Sequence, residues 1–433
     1  MKTYEEMSLS ELHALEAVTE EKLAEVRGKG LAIDMTRGRP SAKQLDLGDG
    51  LLTVLTTGED CMSESGFDCR NYGVMEGLPE AKKLMGDILG VPAENVIIGG
   101  NASLSLMFDT VSRSMTHGVC GSTPWSKLHR VKFLCPVPGY DRHFAICEYF
   151  GIEMINVPMT PEGPDMDIVE KYVSSDEEIK GIWIVPMYSN PQGYTCSDET
   201  VRRLASLKCA AKDFRIYWDN SYGIHHFYDE PENQDHVLNI FEECAKMGNE
   251  DLVYEFCSTS KVSFAGGGIS AIASSQANLD DHRQYMKFQT IGYDKVNQLR
   301  HVKFFRNLAG VKKHMSRHAA IMRPKFEMVC RILSEELGGC GICSWTTPRG
   351  GYFISFNTME GCAKNVVAMA KGAGVKLTEA GATYPYHRDP YDSNIRIAPS
   401  LLSLEDLEQA TEVFVLCVRL VSLRKVIDEK KAG

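Results

Sequence analysis

The residues with most to offer chemically lie in one stretch, residues 252–275, LVYEFCSTSKVSFAGGGISAIASS. It reads as a short apolar strand over 252–257, a turn of Ser258, Thr259, Ser260 and Lys261, a run of glycines at 266–268, and a second buried strand over 269–273. A lysine amine condenses with carbonyl carbons, and partial desolvation lowers its pKa from about 10.4 so that it can serve as base or nucleophile. On its own such a lysine also fits a solvated polar turn, because lysines are almost always exposed. Other groups must decide between the two.

Three further strand ends carry polar side chains. The strand over 181–186 runs into Ser189-Asn190-Pro191-Gln192-Gly193, and the strand over 215–218 ends in Asp219, followed by Asn220, Ser221 and Tyr222. The strand over 96–98 stops at Gly99-Gly100 and continues as Asn101-Ala102-Ser103-Leu104, the start of a helix. A strand–glycine–helix junction leaves backbone N–H groups free, and the helix dipole favours an anion there. In open α/β sheets ligands bind beyond the carboxyl ends of the strands, so these groups share one rim. Amine, carboxylate, amide, phenol and anion nest together meet the needs of pyridoxal phosphate: a partner for the aldehyde, one for the ring nitrogen, donors for the ring oxygen, and a cradle for the phosphate.

The elements that would position these groups alternate as an α/β chain does. Strands are expected over 96–98, 131–135, 154–157, 181–186, 215–218, 252–257 and 269–273, with helices over 142–150 and 198–212 among the connections. Past residue 290 the pattern turns to long helices over 295–306 and 320–337, strands near 350–356 and 394–398, and a final helix over 404–425. Ser8 and Glu11 form a capping box for an N-terminal helix that stops near Gly28 and Gly30, and residues 49–69 read as an exposed helix and loop. The fold class expected is α/β: a large domain over 49–300 with a mostly parallel, doubly wound sheet, and a smaller α+β domain built from both chain ends, 1–48 and 301–433.

Bulk properties exclude several other roles. At 433 residues the chain exceeds a single core. A net charge of −11 with no basic tract argues against nucleic acid or an anionic membrane as partner. Neither a signal peptide nor a membrane-spanning run is visible, so a cytoplasmic setting is expected, with the 14 cysteines reduced.

The order N-P-x-G, D-x-x-Y, S-x-S-K, together with TRGRP, CPVPGYDRH and NIRIAPS, resembles class I aminotransferases of fold type I, and within them an aspartate aminotransferase subgroup. The likeness runs from about Asp34 to Ser400. It implies that Lys261 is the Schiff-base lysine and proton carrier. Asp219 is then the partner of the pyridinium nitrogen, with Asn190 and Tyr222 on the ring oxygen. It further implies that Gly100, Asn101, Ala102, Ser258 and Ser260 line the phosphate, that Tyr140 stacks on the ring, and that Arg396 clamps the substrate carboxylate. Gly38 and Arg37 in TRGRP would contribute to substrate binding, with Arg37 or Arg39 meeting a side-chain carboxylate. Tyr72 would reach the partner's site in a homodimer. The implied reaction moves an amino group from aspartate to 2-oxoglutarate.

Taken singly, each residue admits a plainer role: Asp219 a helix cap, Asn190-Pro191 a turn, Tyr140 core, Arg396 one half of an ion pair. Another reaction on the same cofactor, β-elimination or decarboxylation, would use nearly the same site. A cofactor-binding regulator is a more distant alternative, since no DNA-binding module is visible. One departure stands out. Eight residues after Lys261, where the family places a phosphate-binding arginine, this chain has Ile269. His225 and His226 lack the further spacing of a metal site and read as structural, as does the pair Cys340 and Cys343.

Overall fold

The computed structural model describes residues 2–432. Its strands, in chain order, are β1 (Ile33–Asp34), β2 (Val96–Ile98), β3 (Lys132–Val137), β4 (Glu153–Thr160), β5 (Gly163–Pro164), β6 (Ile179–Ile184), β7 (Arg215–Asp219), β8 (Val253–Ser258), β9 (Ser270–Ser274), β10 (Cys343–Trp345), β11 (Ile354–Thr358), β12 (Val375–Lys376) and β13 (Asn394–Ile397).

Eight of them form the central sheet, in the order β2-β9-β8-β7-β6-β3-β4-β5. The pairs β8–β7, β7–β6, β6–β3 and β3–β4 are parallel. Strand β9 is antiparallel to both β8 and β2, so two reversals bring the end of β2 to the same rim as the ends of β6, β7 and β8. All six residues of β6 and all five of β7 are buried, as expected of parallel strands covered by helices on both faces.

A second core joins the two chain ends. Leu12 and Leu23 of the Leu9–Gly28 helix pack in one cluster with Phe414 and Val418 of the Leu404–Ala432 helix and with Ile354, Phe356 and Ile395. Beside them lie the antiparallel sheet β10-β11-β13 and the parallel pair β1–β12. Ser8 accepts from Glu11 N–H while the Glu11 carboxylate takes Ser8 N–H at 2.7 Å, a cap that stabilises the first helix by ~1 kcal/mol.

The structure corrects several boundaries. The helix expected over 198–212 is Asp198–Ala205, because Asn249 Nδ2 takes the Ala205 carbonyl that a further turn would use. The helix expected from 320 starts at Leu308, where Asn307 caps it through Gly310 N–H, and it continues through Pro324 to Leu337. Residues 49–69 are less exposed than expected: Leu51, Cys61, Ser63 and Cys69 are buried. Among the described residues, no helix is long and apolar enough to cross a membrane.

Candidate active site

The turn carrying Lys261 leaves the end of β8 and is tied down from below. Thr259 N–H donates to the Ile269 carbonyl at 2.8 Å, and Ser263 N–H to the Thr259 carbonyl at 2.8 Å. From the Lys295–Phe305 helix, His301 Nε2 meets Thr259 Oγ1 at 3.1 Å and Ser263 Oγ at 2.8 Å, and Asn297 Nδ2 donates to the carbonyls of Gly267 and Gly268. Lys261 Nζ therefore projects from a fixed loop, 4.7 Å over the Tyr222 ring and 5.6 Å over that of Tyr352. Burial pushes the Tyr222 phenol well above its ordinary pKa, and neighbouring Asp219 adds to this, so the hydroxyl keeps its proton and remains a donor.

Asp219, buried at the end of β7, accepts from Ser221 Oγ at 2.6 Å and pairs with His143 Nε2 at 3.0 Å. His143 stacks on Trp183 at 4.5 Å with planes 10° apart, and Tyr140 meets it edge-on at 4.9 Å. The imidazole is thus locked, and the carboxylate with it. Burial pushes the Tyr140 phenol up to about 12, while the Lys261 charge pulls it the other way. His225 lies on the other side of the lysine, edge-on to Tyr222 and Tyr352, and burial holds it well below the usual histidine pKa.

Three loops converge into an anion cradle. The Ser103–His117 helix begins after Ala102 with no side-chain cap, so its first N–H groups are free for a ligand. Ser260 Oγ donates to the Asn101 carbonyl at 3.1 Å and Ser258 Oγ to Ser260 Oγ at 3.1 Å. A side chain at Gly268 would sit 3.0 Å from Thr259 Oγ1, 3.1 Å from Ser260 N and 3.2 Å from the Asn101 carbonyl, so only glycine lets the loops close this tightly. Ile269 is buried, with its N–H on Thr259 Oγ1 at 2.9 Å, and contributes nothing polar from its side chain to the cradle.

The Arg396 guanidinium, in β13, lies over the Phe353 ring, 4.9 Å from its centroid. Its Nη1 donates to Asp141 Oδ1 at 3.0 Å and to Asn190 Oδ1 at 3.3 Å, while its buried Nε has no partner among the described residues. Asn190 reaches it through a cis bond to Pro191. Gly38 packs so closely on Phe353 that a Cβ there would lie 2.5 Å from the ring. Arg37 and Arg39 flank it and are exposed. Tyr72 stands apart from all these groups, 78% exposed.

The sequence alone assigns no role to His143, Asp141, Phe353 or Tyr352. His143 follows Tyr140 by three residues, one helical turn, which was the available signal; the other contacts join distant segments. His226 bonds the Tyr188 hydroxyl at 2.7 Å, away from the lysine. Among the described residues no cluster of His, Cys, Asp or Glu could hold a metal ion.

A doubly wound sheet with a lysine, a buried carboxylate and an anion cradle on one rim defines a pyridoxal-phosphate enzyme of fold type I. Residues 7–430 match the family described as aspartate amino-transferase. An aspartate aminotransferase of Corynebacterium glutamicum is 44% identical over 403 residues, 93% of this chain and 92% of that protein. The crystal structure of an aspartate transaminase from the same species superposes with a TM-score of 0.94 at 41% identity, over 98% of this chain and 99% of that one. The α-aminoadipate aminotransferase LysN of Thermus thermophilus, solved with N-(5'-phosphopyridoxyl)-L-leucine, shares the fold at a TM-score of 0.73 and 18% identity, over 97% of this chain and 100% of that one. The chain belongs to the aspartate aminotransferase family, whose members use pyridoxal phosphate, and its reaction is transamination. The residues present fit that cofactor: the uncapped helix start and Gly268 leave a cradle a phosphate would fill.

Proposed function

We propose that the chain transfers the amino group of L-aspartate to 2-oxoglutarate at a pyridoxal phosphate held by Lys261. The observation that carries this is the Lys261 amine, seated 4.7 Å over Tyr222, on the same rim as Asp219 and the Arg396 clamp. When bound, pyridoxal phosphate supplies an electron sink that makes the substrate's α-C–H acidic.

The protein's own groups do the rest. Asp219, oriented by His143 and Ser221, would pair with the ring nitrogen. Asn190 and the protonated Tyr222 hydroxyl donate to the ring oxygen, and Tyr140 covers the ring face. Gly100, Asn101, Ala102, Ser258 and Ser260 hold the phosphate. Arg396 orients the substrate by its α-carboxylate, and a planar fork stacked on Phe353 fixes that angle as a lysine could not. Lys261 Nζ is the base placed to accept the substrate's α-proton and to give it back across the amino nitrogen.

Gly38 shapes the carboxylate pocket, and Arg37 is the candidate for the side-chain carboxylate of aspartate. The enzyme works in the cytoplasm as a homodimer over two domains, 49–300 and the joined ends 1–48 and 301–433. The exposed Tyr72 reaches the second copy's phosphate.

Purified protein given aspartate and 2-oxoglutarate should form oxaloacetate and glutamate. Alanine and carbon dioxide from aspartate would indicate decarboxylation instead, and pyruvate and ammonia from serine, whose β-hydroxyl can leave, would indicate β-elimination. The yellow colour of the holoenzyme should vanish in Lys261→Ala.

A further inference from the structure

A large cavity lies apart from the site above. It holds about 840 Å³ and lies behind that site, between the 223–240 loop, the end of the Pro79–Leu89 helix and the start of the Leu308–Leu337 helix. Trp218, Ile224, Tyr228, Leu238 and Met315 give it apolar wall, alongside polar and charged side chains. Glu255 lines it too, from the middle of β8, 2% exposed overall.

Glu255 Oε1 accepts from Asn220 Nδ2 at 2.9 Å, and no protein group hydrogen-bonds Oε2 among the described residues. Among the described residues no cation pairs with this carboxyl either. A buried carboxyl with one hydrogen bond is costly to ionise without a counter-charge. Four more carboxylates, Asp87, Asp229, Asp235 and Glu242, line the cavity against two ammonium groups, Lys312 and Lys313. Burial lowers the pKa of His226, whose Nδ1 meets a tyrosine hydroxyl, so this imidazole adds no positive charge near neutral pH. The lining therefore carries an excess of negative charge before Glu255 is counted.

We propose that this cavity is a second binding site, for an organic cation with an apolar body whose charged head pairs with Glu255. The flat walls take the body, and the head supplies the counter-charge that Glu255 lacks. The site is distinct from the substrate clamp: no residue of the lysine turn, the anion cradle or the Arg396 pocket lines it. It nevertheless adjoins that chemistry. Asn220, which holds Glu255, follows Asp219 in the chain, and its N–H donates to the Phe256 carbonyl at 2.8 Å. A ligand that pulls on Glu255 acts one residue from Asp219, which makes the cavity a place where a cationic metabolite can regulate the enzyme.

Burial raises the Glu255 pKa to about 8, so the carboxyl is protonated at neutral pH and an arriving cation displaces that proton. The test is calorimetric titration of the holoenzyme with benzamidine at neutral pH, in two buffers of different ionisation enthalpy. An amidinium pairs with a carboxylate, and it is not a primary amine that would condense with the cofactor. The expected result is saturable binding with release of about one proton per site, unaffected by saturating maleate. Binding should be lost in Glu255→Gln and also in Leu308→Trp, which adds bulk to the lining from a different element. Absence of saturable binding, displacement by maleate, or full binding by a folded Glu255→Gln or Leu308→Trp variant would each overturn the proposal.

Discussion

Asp141 Oδ1 lies 3.0 Å from Arg396 Nη1, so the guanidinium that awaits a substrate carboxylate already holds one of the protein's own. Asp141 is partly exposed at 29% against 8% for the arginine, which makes it the partner able to swing away. The pair keeps Arg396 neutralised while no substrate is present.

Removing that competitor should tighten substrate binding. Asp141→Asn is expected to lower KM for the oxo acid about five-fold, equivalent to the ~1 kcal/mol of a partly exposed ion pair, with kcat little changed. Steady-state kinetics with a dicarboxylic and a monocarboxylic oxo acid provide the check. An unchanged or raised KM for both would mean that Asp141 supports the clamp instead of competing for it.

Gly38 acts on the same arginine through Phe353. A methyl group placed 2.5 Å from the ring cannot be accommodated without moving it, and the ring is the floor on which Arg396 lies at 4.9 Å. Overpacking of this kind costs ~1–3 kcal/mol. Gly38→Ala should therefore lower kcat/KM by about ten- to a hundred-fold, mostly through KM, while the affinity for pyridoxal phosphate stays near wild type. A parallel loss of cofactor would place the defect elsewhere.

The central sheet was legible because its strands are buried on both faces and read as continuous apolar runs; β2 falls on 96–98 as the sequence implies. The groups at strand ends were legible because polar residues after such runs have nowhere else to go. What was not legible depends on contacts between remote segments. His143 and Asp219 are 76 residues apart and Asp141 and Arg396 are 255 apart, so no local pattern announces either pair. The early end of the helix at Ala205 and the early start at Leu308 have the same origin in part: a distant asparagine takes one carbonyl, whereas an interior proline at 324 disguises a continuous helix. Glu255 was hidden because a single acid in VYEF gives no sign of the cavity beside it.

The lysine turn is backed by histidines that the fold keeps neutral. Burial pushes His301 down to about 4 and His318 to about 3, and it lowers His314, which hydrogen-bonds the Val262 carbonyl at 2.8 Å. A base whose pKa is lower folded than unfolded takes up its proton first in the unfolded chain. Stability is then full above the ordinary value of about 6.5 and is lost as pH falls through 4 toward 3. Thermal melts should show Tm dropping across that window, and His318→Gln should flatten the drop. An equally steep acid limb in the variant would assign the effect to carboxylates.

Glu255 reverses that sign. Burial raises its pKa from 4.5 to about 8, with only the Asn220 hydrogen bond pulling it back. Below 4.5 both folded and unfolded chains hold the proton, and nothing is lost. Between 4.5 and about 8 the unfolded chain releases it while the folded chain must keep it, so stability falls as pH rises, by up to ~1.4 kcal/mol per pH unit. Above that window both forms are ionised and the loss levels off. Glu255→Gln keeps an acceptor for Asn220 but has no proton to hold. The variant should therefore match wild type in urea unfolding near pH 4.5 and gain on it steadily toward pH 8. Parallel stability curves across this range would mean that Glu255 ionises freely in the folded protein, leaving the cavity behind Asp219 with a fixed negative charge instead of a buried proton.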